Sequence, residues 1–345
     1  MSGSSADLRA MVGAVTIRSP TSFTVGDDTL ELPTADAAVE DPSRGRVLTD
    51  CLASALYRRL YCRPQRGHAL APPGHRAVRS FVERLSEANS GRGTWEPGWV
   101  IRGVESDGAL VVHKQTDDLT LWARPSQFRP RSGAAAPGEV GRLWLGKELR
   151  EMLPGYYMAM GDADQEDYDP ETHPSTVRFY FHLASTGAEL WVRELTGRLN
   201  AAAVPFHAKL HSDPAMYVRA DAAVLYVSRN DLTRTMAILP AVHAALSRHL
   251  RSSTPIFTKR LARGLAVAED PGDGRSFGQH RCGLVAEALV RHFETGGNTA
   301  RGAATAVVAR FAEAGLDARR PWLNAGSPDT YAWPASPTRR AASPV

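Results

Sequence analysis

The sequence predicts an α+β (mixed α/β) chain: N-terminal helices and a small antiparallel meander, then a C-terminal α/β domain. Three observations lead there. Apolar residues recur at helical spacing over 47–62 and 75–88. Over 98–124 the period changes to short alternating runs separated by polar turns. From about residue 177, strand-like runs alternate with helical ones. With 345 residues, two structural units are expected, and 43% apolar residues can supply a sizeable core.

Taken in order, residues 1–45 are rich in Ser, Asp, Pro and Ala and show little periodicity, so they read as a flexible, loosely docked start. In the first helix Val47, Leu48, Cys51, Leu52, Leu56 and Leu60 share a face; in the second, Val78, Phe81, Val82 and Leu85 do. The meander breaks at Ser106-Asp107-Gly108 and Thr116-Asp117-Asp118. These pieces make an N-terminal domain over 46–150, with linker composition at 130–141 and further strands at 141–146 and 154–160. An acidic surface loop spans 161–176. The second domain, 151–330, places strands at 177–184, 204–211 and 222–228 and helices at 187–202, 231–250, 281–294 and 298–314. The 177–184 and 204–211 strands, joined by one helix, are expected in one sheet. Residues 331–345 read as a disordered tail.

Composition excludes several classes. No apolar run is long enough to span a membrane, and the N-terminus lacks the basic-then-apolar pattern of a secretion signal. Cys51, Cys62 and Cys282 are odd in number and widely spaced, which suits neither a disulfide framework nor a zinc site. A cytoplasmic location and no metal or cofactor are expected. The net charge of +4 suits an acidic or phosphorylated ligand but is too small to indicate nucleic acid. Of 41 basic residues only Lys114, Lys147, Lys209 and Lys259 are lysines. Arginine cannot act as a general base near neutral pH and lysine can when its pKa is lowered, so a lysine on a strand here is a candidate for chemistry.

The strand over 177–183 puts Arg178, Tyr180 and His182 on one face, opposite Val177, Phe179, Phe181 and Leu183. The next one puts His207, Lys209 and His211 opposite Phe206, Ala208 and Leu210. Each strand alone has the alternation of any half-exposed strand, and His207 alone fits a solvated or core-edge position. Jointly, the two polar faces are cationic or protonatable and carry no carboxylate, as a phosphate site requires. β-Elimination of a phosphate ester needs a base for the Cα proton, an acid or neutralising group for the leaving oxygen, and cationic forks for the phosphate. A lysine with a depressed pKa suits the first role, for which the arginine-rich surroundings of Lys209 are expected to serve, and histidine the second. His280 and Arg281, at the opening of an apolar helix, are further candidate phosphate contacts, although a plain helix-opening loop has the same composition. The Gly-rich pieces fit no phosphate-binding loop between strand and helix, and no kinase signature is present.

The block YFHLAS (180–185) resembles the Lys-x-His strand of the phosphothreonine lyases secreted by enteric pathogens, and the lyase domains of class III and IV lanthipeptide synthetases. VPFHAKLHSD (204–213) resembles their following strand, which carries the lysine base. The match implies that Lys209 is the base, that His182 is the acid and that Arg219, in YVRADAAVLYV (217–227), binds phosphate. Tyr180 stands where those lyases have a lysine. A longer similarity, through LYRRLYC (56–62), ANSGRGTWEPGW (88–99), LPGYYMAMGDA (153–163), RFYFHLAS (178–185), RADAAVLYV (219–227) and FTKRLARGLAVAEDPGDGRSFGQHRC (257–282), is to the Hop-A type III effector family. Members occur in actinobacterial class V lanthipeptide and thioamitide gene clusters, where they are linked to dehydration of a precursor peptide beside a separate kinase.

The resemblance implies a phosphoserine/phosphothreonine lyase acting on a phosphorylated precursor peptide, with a separate Ser/Thr peptide kinase as partner, alone or in complex. Plant-pathogen members act as effectors, so a non-catalytic module docking a kinase or leader peptide remains the alternative. A two-histidine phosphoesterase needs His-x-Ser/Thr twice, and Ala184 follows His182 and Asp213 follows His211 at that spacing.

Overall fold

The computed structural model describes residues 3–32, 44–63, 75–114, 119–150, 154–163 and 176–334. Over 3–32 it corrects the expected loose start. Helix α1 (Gly3–Gly13) leads into a three-stranded antiparallel sheet of β1 (Val15–Ser19), β2 (Ser22–Val25) and β3 (Asp28–Glu31). Leu8, Met11, Val12, Phe23 and Val25 are buried in the main core. Strands this short give periodicity little room to register. The acidic stretch 164–175 and the tail 335–345 lie outside the described residues, while at 331–334 Tyr331 is buried and donates to Glu269 Oε1 at 2.9 Å.

The two predicted helices follow as α2 (Arg44–Leu56) and α3 (His75–Ala88). The first does not run as one α-helix to 62. It widens at Tyr57–Tyr61 into a π-helical turn, in which the Cys62 amide reaches back five residues to the Tyr57 carbonyl. The meander is β4 (Gly93–Val104), β5 (Leu110–Lys114), β6 (Leu119–Ala123), β7 (Phe128–Pro130) and β8 (Val140–Gly146). They form a five-stranded sheet ordered β6-β5-β4-β8-β7 over a small core of its own, including Trp99, Ile101, Val112 and Leu143.

The remaining strands are β9 (Glu148–Leu149), β10 (Tyr156–Met160), β11 (Thr176–Phe181), β12 (His207–His211), β13 (Ala223–Ser228), β14 (Lys259–Ala262) and β15 (Leu265–Glu269). Helices α4 (Ala188–Ala201), α5 (Leu232–Ala245), α6 (Phe277–Glu294) and α7 (Ala300–Glu313) accompany them. The seven-stranded sheet runs β14-β15-β11-β13-β12-β10-β9 with every neighbouring pair antiparallel. Thus β11 and β12 share one sheet as expected, but β13 lies between them. The β14–β15 hairpin was not anticipated. All five residues of β15 are buried, so the strand has no polar alternation to read.

Helices cover both faces of this sheet. Phe181 meets Trp191 of α4 edge-on at 5.6 Å on one side, and Tyr180 meets Phe277 of α6 at 6.4 Å on the other. The polar face of β11 is therefore roofed rather than solvated. Among the described residues no helix is long and apolar enough to cross a membrane.

Candidate functional site

The register of the central strands sets the site. Lys209 and Tyr180 both pair with Val224 of β13, and His207 and Arg178 both pair with Tyr226. Directly opposed residues share a face, so Tyr180, Lys209, Arg178 and Tyr226 project together toward α6 and the π-helical turn. There they line a narrow pocket of about 30 Å³, completed by Tyr57, Tyr61, Tyr156, Asp221, Val224, Ser276 and Gly278. A larger cleft of about 710 Å³ between β2–β3 and α2 is lined by neither histidine nor lysine. The smaller pocket holds the residues with acid–base chemistry.

Lys209 stands at its centre. The ammonium lies 4.6 Å from the ring centroid of Tyr156 and 5.8 Å from that of Tyr226. No carboxylate pairs with it among the described residues, although Asp221 lines the same pocket. Burial opposes its charge, but the oxygens of Tyr226 and Tyr156 favour it more, and its pKa is raised above the ordinary lysine value. This corrects the expectation of a depressed pKa: the surrounding groups are phenols, and the nearby arginines are already neutralised.

Those arginines are two capped forks. Arg178 donates through Nε to Asp270 Oδ2 at 2.6 Å, with Nη2 on the same oxygen, and lies over the Tyr226 ring at 5.2 Å. Arg219 borders the pocket and grips Asp221 with both arms, Nε to Oδ1 and Nη2 to Oδ2, each at 2.9 Å. The expected carboxylate-free face therefore has two carboxylates at its rim, both contributed from outside β11 and β12.

The histidines separate. His182 is buried but does not line the pocket. Its Nδ1 lies 2.8 Å from Ser253 Oγ and 3.1 Å from the Ser253 carbonyl oxygen. A carbonyl only accepts, so that contact places the proton on Nδ1 and leaves a lone pair on Nε2, which is buried and has no partner among the described residues. Burial, seconded by Arg251, lowers its pKa, so the ring is neutral at pH 7. His211 is also buried, stacked on Tyr156 at 4.6 Å, with burial pushing its pKa down to about 4. His207 is drawn toward the five-stranded sheet, its Nε2 3.5 Å from Glu96 Oε1. That position corrects its expected phosphate role.

The expected phosphate contacts of Arg281 and His280 are likewise corrected. Arg281 is fully buried and holds the chain after α7 in place. Its Nε donates to the Pro321 carbonyl at 2.9 Å and its Nη2 to the Leu323 carbonyl at 3.1 Å. Burial pulls its pKa to about 10, still charged at neutral pH. His280 accepts from Arg281 Nη1 at 2.7 Å, and burial lowers its pKa to about 4. Only the opening of α6 reaches the pocket, through Ser276 and Gly278. A Cβ on Gly278 would sit 2.4 Å from Tyr61 Cε1 and 2.7 Å from Tyr57 Cε2, so glycine permits the stacked tyrosines to approach.

Sequence reasoning missed Tyr57, Tyr61, Tyr156, Asp221, Tyr226 and Gly278. For Tyr226 the alternation of β13 was available, since Val224 and Tyr226 share a face. The other five come from a π-turn, an adjacent strand, a turn and a helix start, whose convergence no local pattern encodes.

The sequence profile of the HopA1 effector protein family matches residues 149–323, a stretch that contains β10 through α7 and most of the pocket. Two solved structures are similar. One is the effector protein from Pseudomonas syringae pv. tomato strain DC3000, with 14% identity and a TM-score of 0.46, covering 81% of this chain and 96% of that one. The other is the effector protein from Pseudomonas syringae pv. syringae strain 61, with 16% identity and a TM-score of 0.42, covering 81% and 97%. No curated protein matches the chain.

Proposed function

This chain belongs to the HopA1 effector protein family, and we propose that it is a phosphoserine/phosphothreonine lyase. Its substrate would be a precursor peptide phosphorylated by a separate kinase, and its product dehydroalanine or dehydrobutyrine, in lanthipeptide or thioamitide biosynthesis. The observation that carries this reading is Lys209: a half-buried primary amine with no carboxylate partner among the described residues, walled by tyrosines, with two arginine forks at the rim.

In the proposed reaction the Cα–H bond breaks, its electron pair forms the Cα=Cβ bond, and the Cβ–O bond breaks to release inorganic phosphate. Lys209 takes the Cα proton as the neutral amine. His182 is the acid that the resemblance implies for the departing oxygen; it lies outside the lining of the Lys209 pocket, so this role requires the bound substrate to bring that oxygen to its buried Nε2. The resting protonation states are the reverse, with Lys209 charged and His182 neutral. The working states are therefore a neutral Lys209 and a protonated His182, each a minority state at rest. Tyr57, Tyr156 and Tyr180 all have pKa values raised by burial, so they remain phenols and serve as neutral hydrogen-bond donors to phosphate.

Mass spectrometry of a phosphothreonine peptide incubated with the purified protein tests the reading. Elimination removes the elements of phosphoric acid and leaves an alkene that adds thiols. A product with the hydroxyl restored would mean hydrolysis. Recovery of intact but tightly bound phosphopeptide would mean docking without chemistry.

A further inference from the structure

The lyase reading, on which this inference rests, leaves one feature unexplained: a carboxylate in a pocket meant for an anion. Asp221 accepts from both arms of the Arg219 fork at 2.9 Å. Its Oδ2 also takes the Tyr57 hydroxyl at 3.3 Å and the Cys62 thiol at 3.6 Å. A guanidinium fork, a phenol and a thiol converging on one carboxylate are the donor set of an oxyanion site, already filled by the protein's own anion.

We infer that Asp221 is a placeholder for the substrate's phosphate, holding the Arg219 fork satisfied until a phosphate takes its seat. The two capped forks differ in a way that identifies the movable one. Asp270 is held by the backbone of its own loop, its Oδ1 accepting the Gly272 amide at 2.9 Å. Asp221 sits in the turn just before β13; beyond its own backbone it accepts from the side chains of Arg219, Tyr57 and Cys62, and no amide of another residue anchors it among the described residues. A bare buried guanidinium is costly, so an empty site gains from an internal partner. An incoming group must match that carboxylate's two-pronged geometry and exceed its charge. A phosphate monoester does both, and an unmodified serine or threonine hydroxyl does neither. The placeholder thus rejects unphosphorylated peptide, and by returning to Arg219 it helps expel inorganic phosphate after elimination.

The test compares the wild-type protein with Asp221→Asn, which keeps the shape and removes the charge. Calorimetry with a phosphothreonine peptide and its unphosphorylated twin is run beside thermal melts with and without inorganic phosphate. Removing a like charge a few ångströms from the ligand should tighten phosphopeptide binding by roughly tenfold or more. It should leave the unphosphorylated peptide unaffected. Phosphate should raise the melting temperature of D221N more than that of wild type, because it refills the vacated seat. That differential also covers a variant that is itself destabilised. Wild type preferring phosphopeptide while D221N binds it equally or more weakly, or a D221N that phosphate does not restore, overturns the placeholder alone. No preference for phosphopeptide in either protein overturns the phosphate reading of the pocket, and the placeholder with it.

Discussion

Two lysines, one in each of the larger sheets, lie against aromatic rings and have opposite surroundings: Lys114 is buried and Lys209 half-buried. In the five-stranded sheet Lys114 lies 5.9 Å from the Trp99 ring centroid and is paired at 2.8 Å with Glu96, whose other oxygen accepts the Trp99 indole N–H at 2.9 Å. In the seven-stranded sheet Lys209 has the rings without the carboxylate. Burial works against the Glu96 carboxylate, but Lys114 and His207 outweigh it and hold its pKa below the usual value. The first lysine is a satisfied element of a seam; the second keeps its charge available for a ligand. Residue type and aromatic neighbours alone do not distinguish them, and the neighbouring carboxylate does.

The largest effect expected from this contrast is on turnover. Lys209→Arg keeps the positive charge but cannot deprotonate carbon, so elimination should fall by about 10²–10⁴-fold or more. Phosphopeptide binding and the melting curve should stay close to wild type. A K209R protein that dehydrates a phosphothreonine peptide at near the normal rate removes Lys209 as base.

The opposite pattern is expected from Lys114→Met, which removes the main counter-charge of the buried Glu96 and leaves it only His207 and the Trp99 N–H. Chemical denaturation should show a loss of about 3–5 kcal/mol, the usual penalty for breaking a buried pair from one side. Activity per folded molecule should be little changed. If K114M melts normally, the seam is not held by this pair.

A smaller effect follows from the strand that joins the two regions, since β12 carries His207 toward Glu96 and His211 toward the tyrosine pocket. Burial lowers the His211 pKa to about 4. Below the unfolded histidine value of about 6.5 the unfolded chain binds a proton that the folded chain refuses, so stability falls as the pH drops from there toward about 4. His211 contributes up to about 3 kcal/mol to that fall. Denaturation midpoints for wild type and His211→Gln across the window should converge as the pH is lowered. His280, also lowered to about 4, adds the same sign to both proteins. Parallel curves for the two proteins would mean that His211 titrates normally.

Much of this architecture was legible beforehand. The alternation of β11 and β12 placed Arg178, Tyr180 and Lys209 on faces that do share one pocket. The helical stripes of α2, α3 and α4, and the short alternating runs of the meander, had enough length for their period to register. Failures clustered where a local pattern meets a partner it cannot specify. The histidines at 182, 207 and 211 obey the alternation, yet Ser253, Glu96 and Tyr156 take them to different uses. Arg281 has the chemistry of a phosphate contact and is occupied by two backbone carbonyls.

The sequence by itself determined the types of the longer elements, the inward and outward faces of the two key strands, and the presence of a lysine among arginines. Tertiary structure alone decided which charges were left uncompensated. Pairing Arg219 with Asp221 is local, but bringing Tyr57, Tyr156 and Gly278 around Lys209 requires a π-turn, two neighbouring strands and a helix start to meet in space. Side-chain periodicity follows from backbone geometry within one element, whereas protonation state and ligand preference follow from the sum of charges, phenols and burial contributed by all of them.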